Sequence, residues 1–290
     1  MTVINTNTAA SITANALTKN ERAMSQAMER LSTGQRINSA GDDAAGLAIS
    51  SKMTSQINGL NMAVRNANDA ISLVQTADGA VVEISSMLQR MRELAVQGAS
   101  GTYTATDRDA LDVEFQALTA AIEDIADDTQ WNGTALLSGA SAFVFHVGAN
   151  ASQTISLTIN DFETAPGGST SVFDNLDAAA FGTDGTNDLD ALDLQDATNS
   201  GTALTHIDNA FTKLNSVRAT LGATINRLEY AADNLANVAQ NTSASRSQVL
   251  DADYASETTE LARTQIIQQA ATAMLSQANQ QAQTVLALLR

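Results

Sequence analysis

The chain has 290 residues, 44% of them apolar but only 4% aromatic, with one proline, no cysteine and a formal net charge of −17. Disulfides, a thiol nucleophile and thiolate zinc sites are excluded, and the acidic excess argues against nucleic-acid binding, which needs a basic footprint. No apolar run approaches the ~18 residues that span a bilayer, so no membrane partner is expected.

The excess charge is localised. Residues 1–108 carry nine basic and nine acidic side chains and residues 213–290 six of each, whereas the stretch from Arg108 to Lys213 encloses seventeen acidic residues and no lysine or arginine. Like-charged surfaces repel, so the two neutral ends can associate closely while the acidic middle faces water.

In chain order, the first eight residues lack a basic region ahead of an apolar one, and a cleaved secretory signal is not expected. Leu17, Met24, Met28 and Leu31 make a weak helical stripe. Asp42 and Asp43 suit a helix N-terminus, where unpaired N–H groups favour carboxylates. From Met53, alternating steps of four and three reach Ile57, Leu60, Val64, Ala67, Ile71, Val74, Asp78, Val81, Ser85 and Leu88, apolar except at Asp78 and Ser85. That rhythm predicts one coiled-coil helix from about Asp42 to Val96, about 80 Å long at 1.5 Å per residue and ended by the Gly98–Gly101 cluster.

A shorter helix reads through Leu111, Phe115, Leu118, Ile122 and Ile125. Asn132-Gly133 after Trp131 signals a tight turn, and the alternations Phe143/Phe145/Val147 and Ile155/Leu157/Ile159, joined by turn-rich 148–152, predict a hairpin. Residues 161–202 are rich in Asp, Gly, Thr and Asn, with Pro166 and Gly167-Gly168 as breakers, and read as a loop-like insert. The four–three rhythm resumes at Ile207, Phe211, Leu214, Arg218, Leu221, Ile225, Leu228, Ala232, Leu235 and Ala239, with Arg218 the exception. Three such seams must cover one another as a bundle.

The last stripe, Ile267, Ala271, Met274, Ala278, Gln281, Val285 and Leu288, is built largely of small residues. Both terminal stripes bury little area per turn, so a pair of them is marginal alone. Residues 1 to about 40 and 250–290 are therefore expected to be disordered or molten in a monomer and to order among other copies. The fold class is mainly α: a long antiparallel helical bundle or coiled coil formed by the N- and C-terminal arms, with a small β-hairpin region and a short variable insert.

Reactive chemistry is sparse. His146 sits on a strand pattern and His206 opens a helical seam, neither beside a ligand cluster, and there is no H-E-x-x-H, P-loop or G-x-S-x-G. The run Asp184–Asp193 offers oxygen ligands but departs from a calcium-binding loop in its glycine and terminal glutamate. No catalytic residue, cofactor or metal site is expected.

The stretches Glu29–Ile49 (ERLSTGQRINSAGDDAAGLAI), Arg65–Ile71 (RNANDAI), Leu88–Gln97 (LQRMRELAVQ), Asp251–Glu257 (DADYASE) and Gln277–Arg290 (QANQQAQTVLALLR) strongly resemble bacterial flagellin. The likeness covers about 1–160 and 200–290, in the family's order. It implies that 1–40 with 250–290 pair as an inner tube layer, that 41–160 with 203–249 form a surrounding helical layer with β-hairpins, and that 161–202 is a short acidic outer segment. It also implies a secreted subunit of the extracellular flagellum, polymerising with itself for swimming motility. Its implied partners are the flagellar type III export apparatus and chaperone, the filament cap and the hook-associated proteins. The polymerisation seams would be Leu17, Met24, Met28, Leu31, Ile267, Ala271, Met274, Ala278, Val285 and Leu288. By the same resemblance, Arg90, Leu94 and Glu114 match positions at which the host innate immune flagellin receptor contacts the monomer. Rival readings are a hook–filament junction (hook-associated) protein, a flagellin with a catalytic centre, and a monomeric binding module; the last fourteen residues favour the filament subunit.

Overall fold

The computed structural model describes residues 7–139, 141–162, 172–173 and 192–288, with side chains up to residue 280. Among these residues five helices and four strands follow in the order α1 (Thr8–Thr33), α2 (Ala44–Gly98), α3 (Ala105–Asp128), β1 (Gln130–Trp131), β2 (Thr134–Ala135), β3 (Ser141–His146), β4 (Thr154–Ile159), α4 (Ala197–Leu250) and α5 (Tyr254–Leu288). The chain divides into two compact units, Met1–Ile57 with Gln240–Arg290, and Asn58–Ala239.

In the Asn58–Ala239 unit the core is one cluster contributed by α2, α3, α4 and the hairpin. The seam on α2 is wider than its sequence rhythm. Leu60, Ala67, Val74, Val81 and Leu88 are buried as the spacing predicts, but the fully buried flank is Ala63, Ala70, Ala77, Ile84 and Met91. Val64, Ile71, Asp78 and Ser85, on the other flank, are half-buried. The same holds on α4, where Ala203, Ala210 and Thr224 are buried beside Ile207, Leu214, Leu221 and Leu228. The two charged interruptions of the seams meet each other: Arg218 Nε donates to Asp78 Oδ1 at 3.2 Å. A polar residue on a seam flank is tolerated because its partner occupies the facing flank.

Helix ends carry recognisable caps. Thr104 and Asp107 form a capping box at the start of α3, and hydrogen bonds from the Thr104 hydroxyl and then its backbone N–H hold the Asp107 carboxyl below its ordinary range. Arg108 donates from Nε to the Gly98 carbonyl (2.8 Å) and from Nη2 to that of Ser100 (3.1 Å), so the end of α2 is closed by a residue of α3. Asn132 (φ 50°) and Gly133 (φ 79°) make the tight β1–β2 turn that their dipeptide signals. Strands β3 and β4 pair antiparallel, with Phe143 opposite Leu157 and Phe145 opposite Ile155. Ile155, Leu157 and Ile159 turn into the core, while Val144 is exposed. The hairpin lies on α2: Asn66 Nδ2 donates to the His146 carbonyl at 3.2 Å, and Gly59 admits Ala149 so closely that an added Cβ would lie 3.3 Å from its methyl.

In the other unit, α1 starts at the N-cap Asn7, whose side chain accepts from Ala10 N, and ends at Gly34 in the left-handed conformation. The two inter-helix joints are stitched together. Gln35 bridges Asp251, Arg36 N donates to the Leu250 carbonyl (2.7 Å), and Ala252 N to that of Gly34 (3.0 Å). Asp43 caps α2 through Gly46 N (2.9 Å), and Asp42 accepts from the backbone N–H of Ser39 (2.9 Å) and Asn38 (3.2 Å), which holds its carboxyl below the usual range, the Ser39 N–H contributing most. Beneath this joint Ile37 is buried against Gly46. The two acidic residues read as a helix start thus play different parts, one capping the helix and one folding the joint.

Candidate interaction surfaces

Helices α1 and α5 pack antiparallel over an interface rich in small side chains. Its α1 side consists of Ala10, Thr13, Leu17, Asn20, Met24, Ala27 and Leu31, all buried or half-buried and spaced by threes and fours. Of the stripe expected on α1, Leu17, Met24 and Leu31 lie here, but Met28 is 55% exposed. On α5 the facing stripe is Leu261, Thr264, Gln268, Ala271, Leu275 and Ala278. Ala271 and Ala278 were expected there, whereas Ile267 and Met274 point away, at 39% and 63% exposure. The side chains of Val285 and Leu288 lie outside the described residues. A second stripe existed in the sequence because Ile266, Ile267, Met274 and Leu275 put apolar side chains on adjacent faces; the position of α1 selects between them.

Among the described residues three polar links cross this interface. Asn20 Nδ2, in a side chain only 8% exposed, donates to the Thr264 carbonyl at 2.7 Å. Arg30 Nη1 pairs with Glu257 Oε1 at 3.0 Å in a largely buried setting, and Asn7 Nδ2 reaches the Ala278 carbonyl at 3.2 Å. Periodicity of apolar residues passes over such groups; the signal that could have found them is a polar residue interrupting an apolar stripe.

The second candidate surface lies on α2 and α3. Arg90 Nε donates to Glu114 Oε1 at 2.8 Å, and its Nη1 pairs with Glu93 at 3.0 Å. Both carboxylates stabilise the charged guanidinium and raise its pKa further, Glu114 most. All three side chains are about half exposed or more. Arg90 and Glu114, 24 positions apart in sequence, are thus brought together. Leu94 is not part of this exposed surface: it is 1% exposed and belongs to the core. A leucine one helical turn from Arg90 faces inward because α2 is covered on more than one side. Leu94 is thus placed in the core one helical turn from Arg90, not on the exposed surface that Arg90 and Glu114 share.

His206 is buried, with Nδ1 unpartnered among the described residues, and His146 is exposed at the end of β3. Among the described residues no group of three or more His, Cys, Asp or Glu could hold a metal ion, and no helix is long and apolar enough to cross a membrane. Of the Asp184–Asp193 run, only Leu192 and Asp193 fall within them. An open depression of about 340 Å³ on α1, lined by residues such as Glu21, Arg22 and Ser25, comes from that single helix and converges on no chemistry.

N- and C-terminal arms that pair as helices, a helical core and two small hairpins among the described residues define a mainly α protein with paired terminal arms. Comparison with known proteins makes this specific. Residues 4–142 match the bacterial flagellin N-terminal helical region and residues 204–289 the bacterial flagellin C-terminal helical region. The flagellin of Bacillus subtilis is 44% identical over 307 aligned residues, 99% of each chain, and the flagellar filament 33 kDa core protein of Treponema phagedenis is 39% identical, with 99% of this chain and 100% of that one covered. A chain described as a flagellar hook-associated protein from Vibrio parahaemolyticus shares the fold alone, with a TM-score of 0.58 at 15% identity over 72% of this chain and 100% of that one. The chain belongs to the bacterial flagellin family, whose members are structural proteins of the flagellar filament.

Proposed function

We propose that this protein is the main subunit of a swimming filament. On this reading the chain leaves the cell through the flagellar export apparatus with its chaperone, and adds to the extracellular flagellum beneath the cap, beyond the hook-associated proteins. The terminal helices would line an inner tube and the helical bundle would surround them; the outer segment expected at 161–202 lies largely outside the described residues. The supporting observation is the apolar surface that α1 and α5 leave uncovered: Ile12, Met28, Ile266 and Met274 are 70%, 55%, 67% and 63% exposed. Side chains of this size on a pair of small-residue helices favour burial against further copies, and ordering of the arms would accompany it. Identity to flagellins along nearly the whole chain favours this role over the hook–filament junction, for which the likeness is one of fold.

The test is seeded elongation. Purified protein added to sheared filament fragments is expected to raise light scattering and helix content together. A chain that stays monomeric with seeds at high concentration, or that elongates with no gain in helix, would refute the respective half of the reading.

A second reading is that the free subunit is detected by the host flagellin receptor through Arg90 and Glu114. It is favoured by the exposure of this pair across two helices. Leu94 then acts from below by holding α2 in place. In a reporter assay Arg90→Ala with Glu114→Ala is expected to lower the monomer's signal while leaving its melting unchanged; an undiminished signal rejects the assignment.

A further inference from the structure

The interface between α1 and α5 has a weakness that its own polar residues repair. Its apolar stripes repeat every seven residues, so sliding one helix past the other by seven restores a four–three match. Leu17 lies level with Gln268 in the observed pairing, and such a slide would bring it level with Leu261 or Leu275 instead. Small residues at Ala10, Ala27, Ala271 and Ala278 offer no large knob to resist it. Apolar packing alone therefore does not distinguish these registers; at the joint end the backbone bonds from Arg36 N to the Leu250 carbonyl and from Ala252 N to that of Gly34 do, and along the helices the choice falls to other groups.

The polar links do not repeat. In the pairs Asn7–Ala278, Asn20–Thr264 and Arg30–Glu257 the residue numbers add to 285, 284 and 287, the near-constancy that one antiparallel register produces. A slide of seven residues moves Glu257 about 10 Å along the axis from Arg30. One slide brings Thr264 level with the guanidinium and the other carries it past Tyr254, the first residue of α5, and the Nε of Arg30 is already buried without a partner among the described residues. Asn20 adds a buried amide at a seam position, a device that selects one alignment of paired helices at some cost in stability.

We infer that Arg30, Glu257 and Asn20 form a register lock that carries along α1 and α5 the alignment set at one end by the backbone bonds of the joint, where the apolar stripes by themselves would accept a slide. Met274 lies almost level with Ile12 only in that alignment, so the lock sets which exposed apolar groups stand side by side on the pair. The lock belongs to the helix pair; its consequence for filament growth rests on the assembly reading above.

The absence of cysteine makes the register directly measurable in the full chain. Leu17→Cys with Gln268→Cys reports the observed register, and Leu17→Cys with Leu261→Cys or with Leu275→Cys reports the slipped ones. Cross-linking is scored before and after addition of filament seeds. In the parent background only the 17/268 product is expected. Arg30→Glu with Asn20→Leu is expected to raise the ratio of slipped to observed product at least tenfold. The exchange Arg30→Glu with Glu257→Arg, keeping Asn20, is expected to return it to within about threefold of the parent.

An unchanged ratio in Arg30→Glu/Asn20→Leu overturns the lock, as does absence of the 17/268 product from the parent in both states. Should the first variant give no product in any register, the charge exchange decides: recovery of the 17/268 product supports the lock and continued loss overturns it. Failure to elongate with the cross-links in register would strike the assembly reading alone.

Discussion

Two glycines on the same long helix should respond oppositely to the same substitution. Gly79 is an exposed interior residue of α2, and a Cβ added there meets nothing within 4 Å. Gly79→Ala removes the backbone-entropy penalty of glycine in a helix and should stabilise the protein by about 0.8–1 kcal/mol. Gly98 closes the helix in a buried position, where an added Cβ would sit 2.6 Å from Ser200 Oγ and 3.3 Å from its Cβ. Ser200 cannot swing away freely, because it is fully buried and its hydroxyl donates to the Asp196 carbonyl at 2.9 Å in the first turn of α4. Overpacking of this kind costs about 1–3 kcal/mol, and a terminal helix position returns little of the propensity gain.

Thermal unfolding followed by circular dichroism measures both. Gly79→Ala should raise the midpoint by about 2–4 °C and Gly98→Ala should lower it by a similar or larger amount. Ser200→Ala in the Gly98→Ala background should recover part of the loss, with a coupling above about 0.5 kcal/mol. Upward shifts from both glycine substitutions, or additive behaviour of Gly98→Ala with Ser200→Ala, would refute the close-approach argument.

On α3, Phe115 is fully buried and Val113 is 71% exposed two residues away, so Phe115→Ala should cost about 3–5 kcal/mol and Val113→Ala less than about 0.5, as read by denaturant midpoints. Hydrogen bonds depress the carboxyls of Asp42 and Asp107 in the folded chain. Their contribution is therefore complete above the unfolded carboxyl value of about 4 and is lost as the pH falls through the lower folded value. Amide exchange in the first turn of α3 and in the α1–α2 joint should accelerate in that acid window; Asp107→Asn should remove the pH dependence at α3 only.

Much of the architecture was legible because it follows from local chemistry. The end of the long helix at Gly98, the α3 helix and the turn at Asn132-Gly133 each rest on groups within a few residues of one another. The centre of each bundle seam was legible too, at Leu60, Ala67, Val74, Val81 and Leu88 on α2 and at Ile207, Leu214, Leu221 and Leu228 on α4. The candidate surfaces were less so. Arg90 and Glu114 came from resemblance, and only the fold brings their charges to 2.8 Å. Leu94 could not be told from a surface leucine, since its burial depends on what covers α2 from further along the chain.

Composition and spacing settle where this chain is helical, where it turns, where its charge collects and that its two ends carry complementary apolar stripes, because these depend on neighbours one to four residues away. They leave open which flank of a stripe is buried, why Asp78 and Arg218 can interrupt it, and how far α1 slides along α5. A seven-residue repeat is the same after every slide, and a helix surface has no inside until another helix covers it. Those choices were made by contacts between residues such as Asn20 and Thr264, 244 positions apart, which only the folded chain brings within hydrogen-bonding reach.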